Sequence, residues 1–202
     1  KWIGIETDKI SVNENGVDFE EIESRMDFTI VKNKIEEFGF REDNNIVGGL
    51  FRLEAGKRPE LWIEAFEEAR KVDHSLRGII VGGGRMEEAV IRWVQEANLE
   101  EDLKIIGQVE DVGSWLSIMD VFLFTSIAEG LPNVLIEAQG FGIPVVSTDV
   151  GGVSEIVFDG ETGKLVDEAT GEKLGSCIIE LLKRSDFEKI STSSRNSARK
   201  RF

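Results

Sequence analysis

Two positively charged side chains lie on one predicted loop and could bind an anion. Arg52 and Lys57 follow the apolar run Ile46–Phe51, which is typical of a buried strand. Arginine offers a planar fork of donors and lysine a point charge, so the pair suits an anion such as a diphosphate. The alternative explanation is that Lys57 and Arg58 pair with Glu54 or Glu60 on the surface.

Two carboxylates, Glu129 and Glu137, stand eight positions apart after a second apolar run, Val121–Phe124. They could act as a general acid and base, or as acceptors for sugar hydroxyls, because an ionised carboxylate accepts both donors of a vicinal diol. Glu137 stands between Ile136 and Ala138 in an apolar run, where an unpaired charge is costly. The alternative is one solvated glutamate and one on a helix surface.

A helix is predicted to begin near Pro132, and its start is a third feature that could bind an anion. The first N–H groups of a helix are free and carry partial positive charge, and proline in the first turn gives up no useful donor. Gly130 lets the backbone approach a ligand without a Cβ in the way. An ordinary strand-to-helix turn would use the same residues.

Apolar runs and helical periodicities alternate along most of the chain. Strands are predicted at Ile46–Phe51, Gly78–Val81, Leu103–Ile106, Val121–Phe124, Pro144–Ser147 and Lys164–Val166. Helices are predicted over 26–38, from Pro59 onward, and at Met86–Ala97, Val112–Met119, Val134–Phe141 and Leu174–Lys183.

This alternation predicts the fold class. Parallel strands need crossover helices, so we expect an α/β fold, a doubly wound Rossmann-like parallel sheet covered on both faces. In such sheets the ligand lies outside the carboxyl ends of the strands, where the winding reverses. The charged residues and glycines named above follow the predicted strands, so we expect them at that edge.

Composition limits the classes of function. The net charge is −15, which argues against nucleic-acid binding. One histidine and one cysteine, His74 and Cys177, cannot build the usual zinc sites, so no metal site is predicted. A single cysteine excludes an internal disulfide and favours a reducing compartment. No apolar run approaches the ~18 residues of a membrane span.

The first 25 residues are acidic and rich in turn formers, and the chain begins with Lys1 rather than methionine. A short strand is predicted at Ile10–Val12, followed by a turn at Asn15–Gly16. We expect a fragment of a longer protein, with residues 1–25 as the remnant of an interdomain connection and residues 26–202 as one domain. The polar, basic tail from Ser191 is expected to be a solvated helix end, with a membrane-surface patch as the alternative.

Several motifs occur together. The most specific runs from Ser126 through Glu129-Gly130-Leu131-Pro132-Asn133 to Glu137-Ala138, and is followed by Gly142-x-Pro144-Val145-Val146 and Gly151-Gly152. Weaker matches are Asn15-Gly16-Val17-Asp18, Arg52-Leu53 with Lys57, Val81-Gly82-Gly83-Gly84 and Ile106-Gly107-Gln108-Val109. Together they resemble the C-terminal, donor-binding half of a GT-B fold glycosyltransferase of the retaining family four, the group one glycosyltransferases. The resemblance spans nearly the whole chain.

The resemblance implies roles for these residues. The implied catalytic set is Arg52 and Lys57, which would bind the donor diphosphate and stabilise charge on the leaving nucleotide, and Glu129, which would contact the sugar hydroxyls. The implied donor-binding set adds Glu137 on the ribose diol, Gln108 and Val109 beside the base, and Gly82, Ser126, Gly130, Leu131, Pro132, Asn133 and Val134. The donor would be a UDP- or GDP-linked sugar. No metal or other cofactor would be needed, because the cations and the helix start do that work.

The chain departs from the family pattern in two ways. Phe51 precedes Arg52 where the family has glycine, and Gly49 stands two positions earlier. The N-terminal acceptor-binding domain, with its acid and base groups, is expected to be missing. A cleft enzyme without one wall cannot position an acceptor, so the fragment is expected to be inactive alone.

The implied activity of the complete protein is transfer of the sugar to an acceptor with retention, in polysaccharide biosynthesis. Alternatives are a sugar-nucleotide epimerase of the same fold and a non-catalytic α/β binding module. The expected partners are the nucleotide sugar and the missing domain of the same protein, with no nucleic acid. The expected location is cytoplasmic, with peripheral contact at the membrane surface as an extension.

Overall fold

The computed structural model describes residues 15–202, so the strand predicted at Ile10–Val12 lies outside the described residues. The strands are β1 (Ile46–Leu50), β2 (Arg77–Val81), β3 (Leu103–Gly107), β4 (Val121–Phe124), β5 (Val145–Thr148) and β6 (Gly163–Val166). They form a parallel sheet in the order β3-β2-β1-β4-β5-β6. The predicted doubly wound α/β fold is confirmed, and its winding reverses between β1 and β4.

Helices connect the strands and cover both faces of the sheet. They are α1 (Phe19–Ser24), α2 (Phe28–Glu37), α3 (Pro59–Val72), α4 (Glu87–Glu96), α5 (Val112–Leu116), α6 (Asn133–Gly140), α7 (Val153–Ile156), α8 (Gly171–Leu182) and α9 (Phe187–Arg201). A 3-10 turn at Ala55–Lys57 precedes α3. Helix α3 begins at Pro59, as predicted, because the fixed φ of proline suits the first helical position.

The sheet separates two apolar cores. Trp62 and Phe66 of α3 pack with α4 and α8 against one face, while Phe122 and Phe124 of β4 face α6 on the other. The indole N–H of Trp62 donates to the carbonyl of Leu123 at 3.1 Å, so its polar group is satisfied in the core. Residues of β4, a strand at the switch point, therefore contribute to both cores.

Gly49 has a packing role in β1. A Cβ there would lie 2.6 Å from the indole nitrogen of Trp62 and 2.7 Å from a ring carbon of Phe51. Only glycine leaves room for these two aromatic side chains at position 49.

Helices α1, α7 and α9 are not among the predicted helices, and α1 and α9 correct the expectations for the chain ends. Residues 19–24 form α1, where turns were expected; Asp18 caps the helix by accepting a hydrogen bond from the Glu21 N–H at 2.9 Å. Phe19 is buried against Gly140, where an added Cβ would lie 1.9 Å from the Phe19 ring. A six-residue helix with one buried residue is too short to give a periodic signal.

The basic tail is helical, as expected, but it belongs to helix α9 and one face of it is packed rather than solvated. Its buried residues recur every fourth position, at Ile190, Ser194 and Ala198. The adjacent row of side chains donates to carbonyls at the C-terminal end of α6: Ser191 to Gly142 at 2.6 Å, Arg195 to Phe141 at 2.9 Å and Arg199 to Gly140 at 2.9 Å. Two of the tail's arginines are therefore engaged with α6. No helix between residues 15 and 202 has the length and apolarity needed to span a bilayer.

Candidate functional site

The carboxyl ends of β1 to β4 open onto one cleft at the switch point of the sheet. The cleft has a volume of ≈ 1130 Å³ and is lined mainly by the loops that follow these strands. Most of the predicted site residues lie on its wall: Arg52, Lys57, Gly82, Gln108, Val109, Glu129, Leu131, Pro132, Asn133 and Val134. The structure thus brings together residues that are far apart in sequence.

The loop after β1 is hydrogen-bonded to the loop after β4. Arg58 adopts the left-handed conformation, with φ 49° and ψ 59°, and its Nε donates to the Thr125 carbonyl at 2.7 Å. The Thr125 hydroxyl donates back to the Lys57 carbonyl at 2.8 Å, and the Ile127 N–H donates to the Gly56 carbonyl at 2.9 Å. A strained backbone persists only when its surroundings hold it, and these bonds do so. The backbones that carry the cleft charges are therefore fixed relative to each other.

Lys57 and Glu129 form an ion pair across the cleft, between Nζ and Oε1. Their side chains are 30% and 15% exposed, so the pair is only partly screened by water. The Lys57 ammonium also lies 5.7 Å from the centre of the Phe124 ring, within the range of a cation–π contact. The alternative in which Lys57 pairs with Glu54 or Glu60 is wrong.

Arg52 lies on the same wall and is exposed. Within residues 15–202 it forms no ion pair and no side-chain hydrogen bond, in contrast to Lys57. Its guanidinium donors are therefore free to bind an anion that enters the cleft. The buried Phe51 beside it fixes the backbone from which the side chain projects.

Helix α6 begins at the cleft. Pro132 is its N-cap in an extended conformation, and Asn133 and Val134 form the first turn on the cleft wall. By their position, the N–H groups of this turn have no acceptor within the helix. They add partial positive charge at the end of the helix that faces the cations.

The loop after β5 supports the backbone of Glu129 from behind. Gly151 has a φ of 56°, and a Cβ there would lie 1.8 Å from the Glu129 carbonyl oxygen. The Gly152 N–H donates to the Gly130 carbonyl at 2.8 Å. The two glycines let the loops approach this closely, which sets the position of Glu129.

The glycine loop after β2 joins two neighbouring loops. Gly82 has a φ of 137°, its N–H donates to the Gly107 carbonyl at 2.7 Å, and a Cβ there would lie 2.0 Å from the Phe51 carbonyl oxygen. Gln108 and Val109 continue from Gly107 along the cleft wall. The loops after β1, β2 and β3 therefore form one continuous surface.

Three predicted site residues lie off the cleft wall. Glu137 is half-buried on α6, one turn beyond Asn133 and hence on the same helix face, and burial raises the pKa of its carboxyl. Ser126 is buried beneath the wall, and within the described chain its hydroxyl has no hydrogen-bond partner. Gly130 is exposed on the loop that carries Glu129. Glu137 and Ser126 both have polar atoms that the described chain leaves unpaired.

Residues 31–201 match the family described as "Glycosyl transferases group 1". The chain belongs to the group 1 glycosyltransferases. Its fold is one half of the two-domain GT-B architecture, which confirms the family resemblance.

Relatives of this group 1 chain include enzymes of polysaccharide synthesis. It is 37% identical over 131 residues to the Vi polysaccharide biosynthesis protein VipC/TviE of Salmonella typhi, covering 64% of the chain and 22% of that protein. It is 28% identical over 206 aligned positions to the UDP-Gal:alpha-D-GlcNAc-diphosphoundecaprenol alpha-1,3-galactosyltransferase of Escherichia coli, covering 99% of the chain and 51% of that enzyme. The chain spans about half or less of the length of these relatives.

A solved structure shares the fold. The Anabaena protein Alr3699/HepE in complex with UDP superposes with a TM-score of 0.80 at 23% identity, covering 93% of this group 1 chain and 52% of that protein. At this level of identity the likeness shows the fold alone.

Among the described residues of the group 1 chain, three polar side chains line the cleft without having been predicted as site residues. Asn15 lies on the wall because its Nδ2 donates to the Leu131 carbonyl at 2.9 Å. The Asn-Gly-Val-Asp motif could have indicated it, but that motif suggested only a connection. Glu54 and Glu87 add two carboxylates to the wall, and no local sequence pattern marks them.

The site can bind a ligand that carries both an anionic group and hydroxyl groups. Arg52, Lys57 and the start of α6 offer positive charge for an anion, and Glu129 offers acceptors for hydroxyls next to it. No set of three or more His, Cys, Asp or Glu side chains in the described range 15–202 is arranged to hold a metal ion.

Proposed function

We propose that this chain binds a nucleotide-diphosphate sugar and that the complete protein transfers the sugar to an acceptor with retention of configuration. The observation that carries the proposal is the convergence of Arg52, Lys57, Glu129 and the start of α6 in one cleft at the switch point. Family membership and the names of the relatives support it.

In the proposed complex, the diphosphate binds between Arg52, Lys57 and the first turn of α6. Charge that builds on the leaving diphosphate during transfer is stabilised by these fixed donors, each charge-assisted hydrogen bond contributing roughly 1.5–3 kcal/mol. No metal or other cofactor is part of the proposal, because the two cations and the helix end supply positive charge at the phosphates.

The sugar and ribose are proposed to bind through carboxylates. Glu129, on the wall beside Lys57, accepts from the sugar hydroxyls, and Glu137 accepts from the ribose diol. Glu137 is half-buried without a side-chain hydrogen bond in the described chain, so a ligand diol would supply the missing donors. The base lies along Gln108 and Val109.

The acceptor is proposed to bind a further domain of the complete protein, since the chain spans about half of the galactosyltransferase it matches. A cytoplasmic location, with contact at the membrane surface, remains a prediction. The epimerase and the non-catalytic module are not favoured, because the relatives carry glycosyltransferase names.

Calorimetric titration with UDP and with GDP tests the donor site. Binding of one nucleotide at up to millimolar concentration is expected, and Arg52→Ala should weaken it about tenfold or more. Arg92→Ala is the matched control, since Arg92 is an exposed arginine on α4 away from the cleft. The proposal would be contradicted if neither UDP nor GDP binds, or if Arg52→Ala and Arg92→Ala weaken nucleotide binding equally.

Retention needs its own test in the complete protein. The anomeric configuration of the first-formed product, followed by NMR against the configuration of the donor, decides it. Inversion would reject that part of the proposal and leave donor binding intact.

A further inference from the structure

The Lys57–Glu129 ion pair links two groups that the proposed complex uses separately. In the structure the ammonium of Lys57 donates to Oε1 of Glu129. In the proposed complex Lys57 donates to the diphosphate and Glu129 accepts from the sugar. Each side chain must therefore give up some or all of its bond to the other when the donor binds.

Hydrogen bonds and close packing hold the backbone on both sides of this pair. The loop of Lys57 is bonded to the loop after β4 through Arg58, Thr125 and Ile127, and Gly151 packs against the backbone of Glu129. The exchange is therefore limited to side-chain rotation. Lysine has a flexible four-carbon stem and three donors, so its ammonium can turn from the carboxylate to a phosphate nearby.

The cost of breaking the pair depends on what enters. A nucleotide without a sugar takes Lys57 and leaves Glu129 as a half-buried carboxylate beside a diphosphate of the same sign, which is unfavourable. A nucleotide sugar takes Lys57 and also gives Glu129 a hydroxyl donor, so both partners remain satisfied. The ion pair therefore opposes binding of the free nucleotide more than binding of the nucleotide sugar.

We infer that the Lys57–Glu129 pair makes the site favour the nucleotide sugar over the free nucleotide, so that it promotes release of the nucleotide once the sugar has been transferred. This inference rests on the proposed function. After transfer the nucleotide no longer presents sugar hydroxyls to Glu129. The ion pair between Glu129 and Lys57 then re-forms, and the diphosphate is bound less tightly. Glu129 is then both a sugar ligand and a competitor of the phosphates for one lysine.

Calorimetry with UDP and UDP-glucose on the wild type, Glu129→Gln, Lys57→Met and the double variant tests this. Glu129→Gln should bind UDP about 1.4- to fivefold more tightly, because a partly exposed ion pair is worth roughly 0.2–1 kcal/mol. The same change should not tighten UDP-glucose binding. A carboxylate that merely ligates the sugar would leave UDP affinity unchanged.

The lysine variant separates the ion pair from simple charge repulsion. Removing a carboxylate near a diphosphate favours UDP even without a pair, so the gain from Glu129→Gln must be smaller in the Lys57→Met background. An equal gain in both backgrounds overturns the inference, as does unchanged UDP affinity in Glu129→Gln. If Lys57→Met does not fold, Lys57→Gln takes its place in the cycle. A wild type that binds neither UDP, UDP-glucose nor GDP overturns the proposed function instead.

Discussion

Replacing Gly151 by alanine tests whether the loop after β5 positions Glu129. Gly151 has a φ of 56°, and an added Cβ would lie 1.8 Å from the carbonyl oxygen of Glu129. Gly160 provides a matched control, because its φ is 78° but no described atom lies within 4 Å of an added Cβ. The two substitutions share the conformational strain and differ in the steric contact.

The expected magnitudes follow from these two terms. Alanine in the left-handed region costs about 1–2 kcal/mol at either position. At Gly151 the Glu129 carbonyl must also move by more than about 1 Å to reach an ordinary contact, and overpacking of this kind costs about 1–3 kcal/mol. We therefore expect Gly160→Ala to lower the free energy of unfolding by about 1–2 kcal/mol, and Gly151→Ala by about 2–5 kcal/mol.

Guanidinium denaturation gives the two free energies, and calorimetry with UDP-glucose gives the effect on the site. Gly151→Ala should weaken UDP-glucose binding, since the displaced backbone carries Glu129, whereas Gly160→Ala should leave the affinity unchanged. Equal destabilisation by the two variants, or unchanged affinity in Gly151→Ala, would refute the role of this loop.

Three further predictions test other parts of the structure. Burial raises the pKa of Glu137 above its unfolded value, so the folded chain binds more protons between the two values and loses stability as pH rises through them. Glu137→Gln should therefore stabilise the protein at neutral pH, and denaturation should show this gain fading as the pH falls through the raised pKa towards the ordinary pKa of glutamate. Calorimetry with the same variant should show weaker UDP binding. Arg199→Ala removes the hydrogen bond to the Gly140 carbonyl and should lower the free energy of unfolding by about 1–2 kcal/mol. Lys200→Ala, at the next position, which is exposed, should leave the free energy of unfolding unchanged. Trp62→Phe removes the indole donor from a carbonyl of β4 and should cost about 1–3 kcal/mol, measured by thermal unfolding.

The strands and the main helices could be predicted from the sequence because their signals are local. Val121–Phe124 is a wholly apolar run bounded by polar residues, and β4 has the same bounds. Pro59 marks the start of α3, and the apolar positions that follow it are those that pack on the sheet. Because strands and helices alternate along the chain, the geometry of parallel sheets predicts the position of the cleft.

Helix α9 could not be predicted in the same way. Only Ile190 and Ala198 on its buried face are apolar, and Ser194 completes the row. Its specific contacts are hydrogen bonds from Ser191, Arg195 and Arg199 to backbone carbonyls about fifty residues earlier, and such long-range bonds leave no periodic apolar signal.

The residues of the site were easier to predict than the contacts between them. Lys57 and Glu129 are 72 positions apart, while Glu54 and Glu60 are nearer partners in sequence. The pair forms because two loops are bonded together through the strained backbone of Arg58, and neither that conformation nor its acceptors are encoded in a short pattern. Long-range packing decides which charges meet.

Helix α6 connects the cleft to the end of the described chain. Its N-terminal turn contributes positive charge to the cleft, and its C-terminal carbonyls carry the opposite charge and need donors. Arg195 and Arg199 of α9 supply those donors, so the C-terminal end of this short helix is held by polar partners. Because the direction of α6 sets the position of Asn133 and Glu137 relative to Lys57, the geometry of the proposed donor site depends on residues of α9 that lie outside the cleft.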